Sequence, residues 1–174
     1  MQLTVSDISI SGYDFAKKVS AKTLDLPCKE DVEVSGKASR SGTDVFVKAN
    51  IECTLCEECH RCLNTFDLNI NANMDLFYQP YKQNSETEFQ DLDADELGIL
   101  YYRNNVIDLT DAIRDTILLE KPIKVLCSEN CKGLCITCGT NLNESTCGCD
   151  KENKKYNPFM EFLNDSKKNS DRKA

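Results

Sequence analysis

The chain has 174 residues, with eleven cysteines, one histidine and no tryptophan, and its 21 basic and 29 acidic side chains give a net charge of −8. That length supports one hydrophobic core, with at most a small satellite, and folding needs no cross-link. The acidity excludes a protein that coats nucleic acid by bulk charge. No run approaches the roughly 18 apolar residues of a membrane helix, and MQLTVSDISISGYDF lacks the basic and apolar regions of a signal peptide.

In chain order, Leu3 and Val5 suggest a first short strand. Val32 and Val34 alternate with polar residues until Gly36 loosens the run, and Val45, Val47, Ala49 and Ile51 alternate cleanly. After a group of cysteines, Phe66, Leu68, Ile70, Ala72, Met74 and Leu76 alternate again, with Pro80 closing the strand. Period-two patterning of this length marks half-buried strands with one apolar face, which favours antiparallel pairing. Residues 84–98 are acidic and poor in apolar side chains, and read as a solvated loop. Asp108 then caps an amphipathic helix over 108–120, built on Leu109, Ala112, Ile113 and Ile117 and stopped by Pro122. A short helix is signalled by Asn157-Pro158-Phe159 with Phe162 and Leu163, and the tail 165–174 frays. The expected fold is α+β: an antiparallel sheet or partial barrel with one packed amphipathic helix and a C-terminal cysteine zinc knuckle. Its parts are a sheet-rich domain over 1–120, a cysteine-rich segment over 121–164, and the tail.

The cysteines are clustered. Cys28 stands alone, Cys53, Cys56, Cys59 and Cys62 form one group, and Cys127, Cys131, Cys135, Cys138, Cys147 and Cys149 form another. Without an export signal the chain is expected to be cytoplasmic, where thiols stay reduced, so metal binding is the first expectation. Cys135-Ile-Thr-Cys138-Gly139 is a C-x2-C-G turn whose glycine permits a positive φ, and Cys147-Gly148-Cys149 supplies two more sulfurs. Four thiolates satisfy a tetrahedral Zn²⁺ in a closed, structural site. Those four are the preferred ligands, with Cys131 and Cys127 as possible replacements. Cys53, Cys56, Cys59 and Cys62, each three apart, read as a hairpin tip that holds a second zinc or shares sulfurs with the first site. An iron–sulfur cluster is the weaker alternative, because the ferredoxin spacing and following proline are absent. His60 reads as a surface residue rather than a ligand.

Cys59-His60-Arg61-Cys62-Leu63 after an alternating strand resembles the C-x-R-C-L element of the YceD family, the large ribosomal RNA subunit accumulation proteins. Lys121-Pro122-Ile123 resembles the family's approach to its cysteine segment. Cys131-Lys132-Gly133-Leu134-Cys135, Cys138-Gly139, Asn141-Leu142-Asn143 and Cys147-x-Cys149 resemble its C-terminal signature, and Asn157-Pro158-Phe159 its closing segment. Ile136 stands where the family usually has proline, and Cys53 and Cys56 are additional to its pattern. The resemblance implies a ribosome-biogenesis factor, not an enzyme, that supports accumulation or processing of large-subunit ribosomal RNA.

The charge distribution qualifies that expectation. Residues 1–83 sum to −3, residues 84–120 to −8 and residues 121–174 to +3. Lys132 within the second cysteine group and Lys151, Lys154 and Lys155 after it are the candidate contacts to ribosomal RNA or a precursor large subunit. The acidic middle could instead receive a basic ribosomal protein. A thiol redox sensor using Cys53, Cys56 or Cys28 is the third reading. No phosphate loop or nucleophile–base pair points to catalysis or to a small-molecule substrate.

Overall fold

Residues 1–81 and 98–151 are described by the structure, a computed structural model. In chain order the elements are β1 (Gln2–Thr4), a 3-10 turn at Val5–Asp7, β2 (Tyr13–Val19), α1 (Ala21–Leu24), β3 (Val32–Ser41), β4 (Asp44–Glu58), β5 (Thr65–Pro80), β6 (Ile99–Tyr102), β7 (Val106–Asp108) and α2 (Thr110–Glu120). A 3-10 turn at Gly148–Lys151 follows. The short helix and frayed tail expected beyond residue 151, and the acidic loop apart from Gly98, lie outside the described residues.

The main sheet has the order β2-β3-β4-β5-β6, and β1 pairs with β7 in a separate two-stranded ribbon. β2 through β5 are antiparallel neighbours, but β6 joins β5 in parallel, from Phe77↔Ile99 to Pro80↔Tyr102. The sheet is therefore mixed, which corrects the expectation of a purely antiparallel one. The alternation within β4 and β5 reports which face is buried, not the direction of a neighbouring strand. A parallel neighbour needs a long crossover rather than a hairpin, and residues 81–98 supply that length. Asn104 and Asn105, both at positive φ, then turn the chain tightly from β6 into β7.

Alternation is followed closely where it was strong. Val45, Val47, Ala49, Ile51 and Leu55 of β4 and Ile70, Ala72, Met74 and Tyr78 of β5 are buried on one face. Leu3, Ile8, Leu24, Ile107, Leu109, Ile113 and Ile117 complete the core over that face. β3 runs through Gly36 rather than loosening there. β2 is invisible to pattern reading because only Phe15 and Val19 of its seven residues are buried. The other face of the sheet carries Ser35, Lys48, Asn50, Glu52, Asn69, Asn71 and Asn73, and no described element covers it.

Asp108 acts at the start of α2, although the helix begins at Thr110 rather than at 108. Its Oδ1 accepts from the Thr110 amide at 2.9 Å and from Thr110 Oγ1 at 2.6 Å, while Gln2 Nε2 donates to its Oδ2 at 3.0 Å. The Thr110 and Gln2 side chains hold its carboxyl down at about 2, against the opposing effect of burial. A depressed folded pKa means the contribution is present above about 4 and is lost as pH falls from there toward 2. Because half of the side chain is exposed, Asp108→Ala should cost only about 1 kcal/mol at neutral pH. Thermal unfolding should show that deficit at pH 7 and its disappearance near pH 2.

β4 and β5 span 15 and 16 residues, about 50 Å each at full extension, longer than the core needs. Their far end carries the turn at residues 59–64. The segment after α2 is drawn to the same end. Lys121 Nζ meets Glu57 Oε1 at 2.6 Å in a largely buried ion pair, and the His60 amide donates to the Val125 carbonyl at 2.9 Å.

Candidate metal centres

Two groups of four cysteines come together. Cys59, Cys62, Cys127 and Cys131 form one quartet, and Cys135, Cys138, Cys147 and Cys149 form the other, with all sulfurs of a quartet within 4.8 Å of one another. A tetrahedral ion with metal–sulfur distances of about 2.3 Å requires S···S edges of about 3.8 Å. Cys59 and Cys131 lie 3.8 Å apart and Cys62 and Cys127 3.7 Å apart. The first quartet thus has the spacing that a tetrathiolate site requires.

The spacing predicts that the hairpin cysteines hold a second ion or share sulfurs with the C-terminal group. The structure brings Cys59 and Cys62 to Cys127 and Cys131, and leaves Cys53 and Cys56 out of both quartets. The reason lies in strand geometry. Cys53 and Cys56 are three residues apart within β4 and point to opposite faces, pairing with Ile70 and Asp67. Cys59 and Cys62 stand at the turn, where the chain can wrap around an ion. Cys127 and Cys131, first read as substitutes for the second quartet, supply the missing half of the first. The usable signal was that the C-x2-C turn at 135/138 has a partner pair close by at 147/149, whereas the like turn at 59/62 has none nearby and Cys127 and Cys131 stand unassigned.

Both C-x2-C turns have the same backbone form. The Cys59 amide donates to the Asn64 carbonyl (2.9 Å) and the Leu63 amide to the Cys59 carbonyl (2.9 Å). In the second turn the Cys135 amide donates to the Thr140 carbonyl (2.8 Å) and the Gly139 amide to the Cys135 carbonyl (2.8 Å). The residue after the second cysteine takes positive φ in each, 60° at Leu63 and 74° at Gly139. Glycine accommodates this freely; leucine there is strained.

The sulfurs are surrounded by N–H donors. Burial raises the Cys59 thiol, but the amides of Cys127, Cys62 and Arg61 outweigh it and hold the pKa at about 6. The Thr140 hydroxyl and amide hold Cys138 at about 6 as well. Burial and the neighbouring sulfurs push Cys127 up to about 12, and Cys149 reaches about 12 mainly through its contact with Cys138. Each quartet therefore resists carrying four thiolates unless a cation is present. Arg61 adds positive charge at the first, its Nη1 donating to the Cys131 carbonyl at 2.9 Å.

The two centres share a seam. Leu134 donates to the Arg61 carbonyl at 3.1 Å, and a Cβ on Gly133 would come 3.0 Å from that oxygen. Asn143, in the loop of the second quartet, donates from Nδ2 to Cys131 Sγ at 3.3 Å while its Oδ1 accepts from the Lys132 amide at 2.7 Å. Burial raises Cys131, but Asn143 and the Gly133 amide leave it net lowered. Asn143→Ala should weaken metal binding at the first quartet by about 10- to 100-fold. Chelator competition should then show one ion released early and the other at the wild-type rate.

Other expected site residues are placed as follows. His60 is exposed, and its Nδ1 accepts from the Val125 amide at 3.4 Å, so it lies outside both quartets. Lys132 is exposed beside the first quartet, while Lys154 and Lys155 lie outside the described residues, as does the Lys151 side chain. Cys28 and Cys53 are adjacent and half-buried, and burial raises both thiols, Cys53 to about 11. Raised thiols are poor nucleophiles, which counts against these two as redox sensors.

Among the described residues, no helix is long and apolar enough to cross a membrane. A protein named large ribosomal RNA subunit accumulation protein YCED homolog 1, chloroplastic, from Zea mays is 45% identical over 65 residues, 37% of this chain and 22% of the relative. The protein of the same name from Arabidopsis thaliana is 27% identical over 158 residues, 79% of this chain and 49% of the relative. An uncharacterized protein of Mycobacterium leprae is 30% identical over 100 residues, 57% of this chain and 43% of the relative. The chain thus spans less than half the length of each. No solved structure matches significantly. The model of the family described as large ribosomal RNA subunit accumulation protein YceD matches residues 47–165, a stretch that holds all eight cysteines of the two quartets, and this chain belongs to that family.

Proposed function

We propose that this chain is a non-catalytic ribosome-biogenesis factor that supports accumulation of large-subunit ribosomal RNA and is organised by two structural Zn²⁺ ions. The observation that carries the reading is the pair of four-cysteine quartets inside the matched family region. All-thiolate donor sets suit zinc, and four protein ligands leave no open coordination position for substrate. Zinc would supply charge neutralisation and cross-linking of the hairpin tip to residues 125–149. Cys59, Cys62, Cys127 and Cys131 would hold one ion, and Cys135, Cys138, Cys147 and Cys149 the other. The cytoplasm is the compartment we assign, since reduced thiolates persist there.

Direct contact with ribosomal RNA or its precursor particle is part of this reading, with Lys132 beside the first quartet as a phosphate contact. The test joins elemental analysis to RNA binding. Purified protein should carry two zinc ions per chain and bind large-subunit ribosomal RNA at low salt. A metal-free folded protein, or one with no measurable affinity for that RNA, would refute it.

A further inference from the structure

We infer that the uncovered face of the main sheet is a stacking platform for single-stranded RNA, centred on Phe46, Phe77, Tyr101 and Tyr81. This rests on the ribosomal RNA reading above and names a second contact surface, distinct from the lysines near the metal centres.

The strand register builds the platform. Phe46 pairs with Phe77 across β4 and β5, and their rings lie 4.7 Å apart. Phe77 pairs with Ile99 and Gln79 with Tyr101, so Tyr101 stands on the same face one step further along β6. Tyr81 meets Tyr101 edge to face at 6.3 Å. The Arg103 guanidinium lies 3.8 Å above the Tyr81 ring. Phe46, Tyr81 and Tyr101 are 44%, 47% and 48% exposed. These rings face away from the core; cross-strand pairing accounts for Phe46 beside Phe77, but Phe46, Tyr81 and Tyr101 still leave much of their area to solvent. The solvent-exposed sides of these rings offer π-faces on which bases can stack, and Arg103 over Tyr81 adds a cationic one.

The neighbouring surface suits RNA better than a protein partner. Beyond the rings the same face carries the Lys48–Asp75 pair and then mostly amides, with Glu52 accepting from Asn71 Nδ2: Asn50 Nδ2 donates to Asn71 Oδ1 at 2.7 Å, and Thr54 Oγ1 to Asn69 Oδ1 at 2.9 Å. Such groups can hydrogen-bond base edges, whereas a protein interface centres on a desolvated apolar core. The charge complements a single phosphate contact. Arg103 makes no salt bridge among the described residues, while Lys48 is already paired with Asp75 at 3.3 Å. Binding here should come from stacking with little counterion release, which is how an acidic chain can hold RNA without bulk attraction.

The test uses the full-length, metal-loaded protein with a fluorescein-labelled single-stranded RNA of about 12 nucleotides and the same sequence as a duplex. The single strand should bind at least about tenfold more tightly than the duplex. Phe46→Leu and Tyr101→Leu should each lose about tenfold, because leucine keeps apolar area but not a ring face. Arg103→Gln should flatten the log–log salt dependence by about 0.7, one phosphate contact on a single strand. Unchanged zinc content and melting temperature in the leucine variants would show that folding is intact. Should either variant fail to fold, Arg103→Gln and the strand-versus-duplex comparison decide alone. Equal affinity of wild type and both folded leucine variants, or a duplex preference, would overturn the platform, and the ribosomal RNA reading would survive if full-length large-subunit RNA still bound. Absence of binding to either RNA at about 50 mM salt would overturn both.

Discussion

A Cys62→Ser chain should keep one zinc ion instead of two and lose the fold of its hairpin tip and of residues 122–131, while the sheet core stays intact. The first quartet draws its sulfurs from two distant segments, Cys59 and Cys62 from the β4–β5 turn and Cys127 and Cys131 from the stretch after α2. Little else packs there. The local cluster holds Cys59, Cys62 and Cys131 with only Phe66, Leu126 and Leu134 against them. Structural zinc contributes on the order of 10–16 kcal/mol of apparent binding energy in small metal-organised folds. Removing one of four ligands forfeits much of that, and so few apolar contacts cannot replace it. The main core, by contrast, is a separate and larger cluster that includes no quartet cysteine. The second quartet is contained within residues 135–149 and should hold its ion alone. Elemental analysis and limited proteolysis read the two halves of the expectation: one zinc per chain, and new cleavage confined to residues 122–131 and the β4–β5 turn. Two retained ions would remove Cys62 from the ligand set. Cys53→Ser and Cys56→Ser should each leave both ions in place, since neither sulfur joins a quartet. Metal retention in the wild type should fall on acidification, because protons compete with the cation for the same thiolates.

Sequence reading reached the strands that alternate and the helix with a buried stripe, because burial on one face is written into residue order. It could not reach β2, where only Phe15 and Val19 are buried, or the parallel placement of β6, which depends on a crossover and not on local pattern. The same limit divided the cysteines. Cys135, Cys138, Cys147 and Cys149 are close in sequence, so spacing alone brought them together. Cys59 and Cys131 are 72 residues apart, and their meeting follows from the length of β4 and β5, the stop at Pro122 and the Lys121–Glu57 pair. Local spacing grouped Cys53 and Cys56 with Cys59 and Cys62, but an extended strand sends residues three apart to opposite faces.

Gly36→Ala should lower stability by about 3 kcal/mol, although replacing glycine within a strand ordinarily helps. In an unobstructed strand the substitution gains roughly 0.5–1 kcal/mol by reducing the freedom of the unfolded chain. At Gly36 a methyl group would sit 2.2 Å from the Lys48 carbonyl oxygen and 2.6 Å from the Ala49 Cα. Both are backbone atoms of β4, so no side-chain rotation relieves the overlap. Gly36 pairs with Phe15 on one side and Ala49 on the other, and the missing side chain lets β3 approach β4 closely at its centre. Separating the strands there would strain their ladder and loosen the buried Val34, Val47 and Ile51 around it. Overpacking of this kind costs about 1–3 kcal/mol or more, which exceeds the entropic gain. For a chain of this size the melting temperature should fall by about 6–12 °C. Metal content should remain at two ions per chain, because Gly36 lies in the sheet core and both quartets lie beyond the far end of β4. A melting temperature at or above wild type would show that β3 and β4 do not meet in this register. A loss of zinc with preserved stability would show that the strand pairing, rather than the turn at Cys59–Cys62, sets the geometry of the first centre.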